Sequence, residues 1–108
     1  MKKVDSLIHF DDLVKSEKPI VLYFSASWCP DCQFISTFID DIMSTYQEFD
    51  FYTVDIDAQK AVCEKADVMG IPSFVVYQNG KVVADFVSNE RKTKEQIEDF
   101  LKKVNAAN

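Results

Sequence analysis

Residues Ile20 to Phe24 read Ile-Val-Leu-Tyr-Phe, an unbroken apolar run with Pro19 before it and Ser25-Ala26-Ser27 after it. A run this short has the length of a strand, and a strand that is apolar at every position must be covered on both faces. That requirement calls for a sheet with helices on each side and excludes a sandwich with one wet face.

The flanking sequence supplies such helices. Phe10, Leu13 and Val14 have helical spacing and form a short first helix that ends before Pro19. Phe34, Ile35, Phe38, Ile39, Ile42 and Tyr46 recur at helical intervals, with Asp40, Asp41 and Gln47 opposite them, and predict one long helix. A second strand is expected over Phe51 to Ile56, a third helix around Ala61, Val62 and Ala66, and another strand from Ser73 to Gln78. Asn79-Gly80 is a two-residue hairpin signal leading into a strand from Lys81 to Val87. Thr93-Lys94-Glu95-Gln96 fits a capping box ahead of Ile97, Phe100, Leu101 and Val104. The fold class is therefore α/β: a mixed central sheet, made of a βαβ unit plus an antiparallel hairpin, sandwiched by about four helices.

Composition agrees with one domain over residues 1–108. Of these residues 47% are apolar, and nine Phe and four Tyr provide bulk for a core. The formal charge of −6 comes from acidic residues spread along the chain, so no basic surface is available for nucleic acid. Met1-Lys2-Lys3 could open a secretion signal, but Asp5, Ser6, His9, Asp11 and Asp12 interrupt any apolar segment after it. No stretch is long enough for a membrane span. A cytoplasmic location without membrane attachment is expected.

Three cysteines, an odd number, do not describe a structural disulfide framework. Cys29 and Cys32 lie two residues apart where the first strong strand meets the long helix, the strand end at which open α/β sheets carry their chemistry. Two intervening residues bring both sulfurs within bonding reach. Cys29, ahead of the first turn, can receive unpaired backbone N–H groups and the positive end of the helix dipole, which favour a nucleophilic thiolate. Cys32, one turn inside, is expected to be more buried and to resolve. Pro30 suits an early helical position, and Trp28 offers a flat apolar surface beside the sulfur. Asp31 suits the helix dipole but sets a negative charge near the Cys29 thiolate, so it is expected to modulate that group.

The competing reading of the pair is half a zinc site. Structural zinc takes four ligands, and only Cys63 and His9 could add to the two sulfurs, neither of them placed nearby by this reading. No metal is expected. Cys63 reads as a small buried hydrophobe, with a regulatory thiol as the alternative. His9 reads as a surface or edge residue, and the charges from Glu90 to Lys103 as a solvated face.

The segment Phe24-Ser25-Ala26-Ser27-Trp28-Cys29-Pro30-Asp31-Cys32 resembles the active-site segment of thioredoxins. Val54-Asp55-Ile56-Asp57 resembles the family's next strand. Met69-Gly70-Ile71-Pro72-Ser73-Phe74, with Tyr77 to Lys81, resembles its cis-proline loop and hairpin. The resemblance runs in order from about Ile8 to Val104 and implies the thioredoxin fold and thiol–disulfide oxidoreductase activity. It implies that Cys29 attacks, that Cys32 resolves through a redox-active Cys29–Cys32 disulfide, and that the Ile71–Pro72 bond is cis. It further implies that a substrate backbone pairs with Ile71 beside Trp28. Disulfide-containing proteins or small molecules would be substrates and an NADPH-dependent thioredoxin reductase the reductant, with no cofactor in the chain.

The departures point away from a general-purpose member. Pro30-Asp31 replaces the usual Gly-Pro and resembles a subgroup that reduces a narrower set of disulfides. Tyr23 stands where a buried Asp usually serves the resolving thiol, Thr53 where many members have a lysine, Thr37 where a proline bends the long helix, and Ser88 where a glycine follows the last strand. Core packing is the simpler reading of Tyr23. Ser88-Asn89-Glu90-Arg91-Lys92 is about two residues longer than usual and borders the groove. A dedicated dithiol oxidase or isomerase and a non-catalytic binding module remain as alternatives.

Overall fold

In the computed structural model, which describes Met1–Ala107, the apolar run becomes strand β2 (Ile20–Ser25), buried along all but its last residue. Strands β1 (Lys2–Lys3), β3 (Asp50–Asp55), β4 (Ser73–Gln78) and β5 (Lys81–Phe86) complete a sheet of order β1-β3-β2-β4-β5. β2 runs parallel to β3, pairing Ile20 with Asp50 and Ser25 with Asp55, and antiparallel to β4, pairing Tyr23 with Phe74. β4 and β5 meet through Asn79 (φ 54°) and Gly80 (φ 81°). Two successive positive φ values are what a tight hairpin matched to strand twist requires, and Asn-Gly supplies them at low cost.

Helices α1 (Leu7–Leu13), α2 (Pro30–Ser36), α3 (Ile39–Thr45), α4 (Lys60–Ala66) and α5 (Lys94–Ala107) cover the sheet. Alternation along the strands sorts the core in two. Val21, Tyr23, Phe74 and Val76 pack with Ile35, Ile39, Ile42, Ile97 and Leu101 of α2, α3 and α5. Ile20, Leu22, Phe24, Val75 and Tyr77 pack with Phe10 of α1 and Val62 of α4. The expected capping box is present at α5: Gln96 N donates to Thr93 Oγ1 (3.1 Å) and Thr93 N donates to Gln96 Oε1 (2.9 Å).

Two elements differ from the reading of the sequence. The single long helix is broken between α2 and α3, giving five helices among the described residues. Thr37 N and Phe38 N bond back to the carbonyls three residues earlier, Phe34 O (3.2 Å) and Ile35 O (3.1 Å), and Phe38 turns out to φ −136°. Thr37 Oγ1 also donates to Phe34 O at 2.7 Å, and such short-range hydroxyl bonding competes with the helical pattern. The chain breaks here without a proline. Strand β1 was not expected, since Lys2-Lys3 has no strand pattern; it forms because Tyr52 and Thr53 of β3 provide parallel partners at the sheet edge.

Candidate active site

The turn out of β2 delivers Cys29 as the N-cap of α2, with extended backbone (φ −87°, ψ 112°). Its Sγ accepts a hydrogen bond from Cys32 N at 3.2 Å, the place a Ser or Asp oxygen takes in an ordinary cap. Pro30 opens the helix without a missing bond, since that N–H would be unpaired anyway. Gln33 Nε2 donates to Ser27 O (2.9 Å) and ties the turn to the helix. The structure holds Cys29 and Cys32 as two thiols. Each is 5% exposed, so Cys32 is not the more buried of the two as expected: both belong to one core cluster, with Ile71 packed against it. Burial is the main reason the Cys32 thiol is pushed up to about 11, with its bond to Cys29 adding to the effect.

Tyr23 lies beneath the pair. Its hydroxyl donates to Cys32 O at 3.3 Å and its ring stacks on Phe74 with centroids 4.8 Å apart. Burial, and then the Cys32 sulfur, raise its phenol far above the ordinary value. A phenol so held keeps its proton at neutral pH and cannot act as a base there. Thr53 Oγ1, on the adjoining strand, donates to Tyr23 O (3.2 Å).

Trp28 is 61% exposed and donates Nε1 to Asp57 Oδ2 at 2.8 Å, which fixes the indole at the surface. The Ile71–Pro72 peptide is cis, and Met69 next to this loop is almost fully exposed. Asp31 is not a free charge beside the sulfur: Arg91 Nε meets its Oδ1 at 3.0 Å while the guanidinium lies 4.2 Å from the Phe34 ring centroid. The partner comes from the lengthened segment after β5.

That segment also departs at one residue from the reading of the Glu90 to Lys103 charges as a solvated face, which holds for Glu90, Arg91, Glu95, Asp99, Lys102 and Lys103. Lys92 is 1% exposed. It is the residue before the Thr93 cap, a position that usually carries a buried apolar side chain, and that is the signal by which its burial could have been read. Cys63 is half-buried on α4 and lines a surface hollow with Ile56, Val68, Met69 and Ile71; burial pushes its thiol up. His9 is half-buried and meets the Tyr52 ring edge-on. Among the described residues, no three of His, Cys, Asp and Glu gather as a metal site, and no helix is long and apolar enough to cross a membrane.

Two thiols at a helix start, in a core cluster against which Ile71 packs, belong to a chain that is similar to known proteins over most of its length. The family profile described as Thioredoxin matches residues 2–103. Thioredoxin 1 of Plasmodium falciparum is 32% identical over 101 residues, covering 93% of this chain and 97% of that protein. The thioredoxin of Gallus gallus is 33% identical over 104 residues, covering 94% and 99%. A solved Plasmodium falciparum thioredoxin superposes with a TM-score of 0.84 at 28% identity, over 95% of this chain and 98% of that one.

Proposed function

The chain belongs to the thioredoxin family, and on that premise we propose that Cys29 is its attacking thiolate and Cys32 its resolving thiol. Membership makes it a thiol–disulfide oxidoreductase with the thioredoxin fold and protein-disulfide reductase activity. The observation that carries the assignment of roles is the bond from Cys32 N to Cys29 Sγ at the head of α2, in the core cluster against which Ile71 packs.

In the proposed cycle, Cys29 thiolate attacks one sulfur of a substrate disulfide. The substrate S–S bond breaks, its electron pair leaves on the departing sulfur, and a mixed disulfide remains. Cys32 then loses its proton and attacks Cys29 Sγ, releasing the second substrate thiolate and leaving the Cys29–Cys32 disulfide. Two electrons have passed to the substrate. Because burial holds the Cys32 proton tightly and Tyr23 cannot accept it, the departing substrate thiolate is the base at hand for this step. Trp28, held by Asp57, and the Ile71 backbone form the walls that receive the substrate. Pro30 and Asp31 act on the start of α2, and Arg91 offsets the Asp31 charge.

The direction of net flow is reduction, with an NADPH-dependent thioredoxin reductase restoring the dithiol. The location is the cytoplasm. An odd number of cysteines, which describes no structural disulfide framework, supports such a reducing compartment. Insulin reduction driven by NADPH and thioredoxin reductase tests the roles: turnover is expected for the wild type and none for Cys29→Ser. Full activity in Cys29→Ser would remove the assignment. Equilibration with glutathione tests the direction. A reductase is half-oxidised only in strongly reducing mixtures, whereas an oxidase stays half-reduced in far more oxidising ones.

A further inference from the structure

Lys92 is a buried cation with no carboxylate at salt-bridge distance among the described residues. Such a charge is costly to bury, and a leucine would fill the same space without that cost. What the ammonium has, and leucine lacks, is three donors on one atom. They reach the carbonyl of Pro72, Ser88 Oγ (3.0 Å) and Glu90 O (3.1 Å), while Nζ lies 4.8 Å from the Phe86 ring centroid. Burial lowers the proton affinity of the amine, and the charge of Glu90 opposes that.

The acceptors belong to two different segments. Pro72 is in the cis-proline loop, and Ser88 and Glu90 are in the segment that follows β5. The neighbouring residue Arg91 reaches the other way, to Asp31 and Phe34 of α2. Consecutive side chains thus tie one strap to two elements: the cis-proline loop and the helix that carries the thiols. A second stitch joins the same segments, since Ser88 N donates to Ser73 Oγ at 3.2 Å.

We infer that Lys92 is a positioning residue for peptide disulfides, holding the Pro72 carbonyl, and with it the backbone of Ile71, at a fixed distance from the thiols of α2. The inference rests on the reading that Ile71 pairs with substrate. It follows that Lys92 matters for substrates with a peptide backbone to pair and not for those without one.

The test compares rates of oxidation of the reduced protein by two disulfides, insulin and hydroxyethyl disulfide, the second having no backbone. Lys92→Met, which keeps the stem and loses the donors, is expected to slow the reaction with insulin about five- to tenfold, the equivalent of one net hydrogen bond. The rate with hydroxyethyl disulfide should stay within about twofold, because nothing in that reagent uses the loop. Equal losses with both, or no loss with insulin, overturn the inference. If the wild type oxidises no faster than Cys29→Ser with either reagent, the underlying assignment fails instead. Should Lys92→Met not fold, side-chain amine NMR of otherwise unaltered Lys92 decides. Its Nζ resonance is expected to move when Cys32→Ser is locked in a mixed disulfide with a peptide, and an unmoved resonance overturns the inference.

Discussion

Gly70→Ala probes the close approach of the cis-proline loop to the segment that follows β5. A Cβ at Gly70 would lie 2.9 Å from Ser88 C, 3.0 Å from Asn89 N and 3.1 Å from Ser88 O. Carbon atoms in good contact sit about 3.5–4.0 Å apart, so against Ser88 C the methyl lacks roughly 0.6–1.1 Å. All three atoms are backbone, and none can swing aside as a side-chain tip would. Ser88 is further pinned by Ser73 Oγ, which also sits 2.6 Å from Gly70 O. Forcing a methyl into such a place costs about 1–3 kcal/mol. The loss of chain freedom in the unfolded state returns about 0.4–1 kcal/mol. At the middle of both ranges a net destabilisation of about 1.3 kcal/mol remains, which for a chain of this size lowers Tm by roughly 5–10 °C. Urea unfolding and calorimetry on the reduced protein measure it. Gly80→Asn is the control: that residue has φ +81° and nothing near its Cβ, so Asn, which tolerates this backbone, should cost well under about 1 kcal/mol. An unchanged or raised Tm in Gly70→Ala would refute the reasoning, because it would mean that the strap yields freely.

Three further outcomes follow from the site. The Cys32 thiol is protonated up to about 11 in the folded state, above its ordinary 9.0, so its contribution is intact below pH 9 and is lost as pH rises through 11. The reduced wild type should therefore lose about 1 kcal/mol more stability between pH 8 and pH 10 than Cys32→Ala does; parallel pH profiles in urea unfolding would contradict this. Tyr23→Phe removes one long hydrogen bond to Cys32 O, so stability should fall by about 0.5–1 kcal/mol and insulin turnover should stay within about twofold. A tenfold fall in turnover would give the hydroxyl a proton-transfer role that its raised phenol argues against. Asp57→Ala frees the Trp28 indole, which should raise KM for insulin and alter Trp28 fluorescence, with the rate toward hydroxyethyl disulfide unmoved.

Much of this architecture is legible in the residues alone because local and tertiary signals agree. Ile20 to Phe24 can only be a strand covered twice, and it is. Asn79-Gly80 and Thr93-Gln96 form the turn and the cap that their chemistry specifies. What escapes the sequence is what only distant partners create. Lys2-Lys3 becomes a strand because β3 offers it an edge. The helix breaks at Thr37–Phe38 through short-range hydroxyl and carbonyl bonding that no proline announces. Lys92 looks like a surface charge until Pro72 O, Ser88 Oγ and Glu90 O are brought around it by the fold. At the site, Cys29, Cys32 and the cis Ile71–Pro72 bond are readable from motif, while the pairing of Asp31 with Arg91 spans 60 residues and is not.

The central claim is the order of attack, and trapping the intermediate tests it most directly. Cys32→Ser, reduced and mixed with a disulfide-bonded peptide, should accumulate a mixed disulfide that mass spectrometry after digestion maps to Cys29, while the wild type releases peptide and closes to the Cys29–Cys32 disulfide. An adduct that forms on Cys63, or one that forms as fast through Cys32 in Cys29→Ser, would contradict the account.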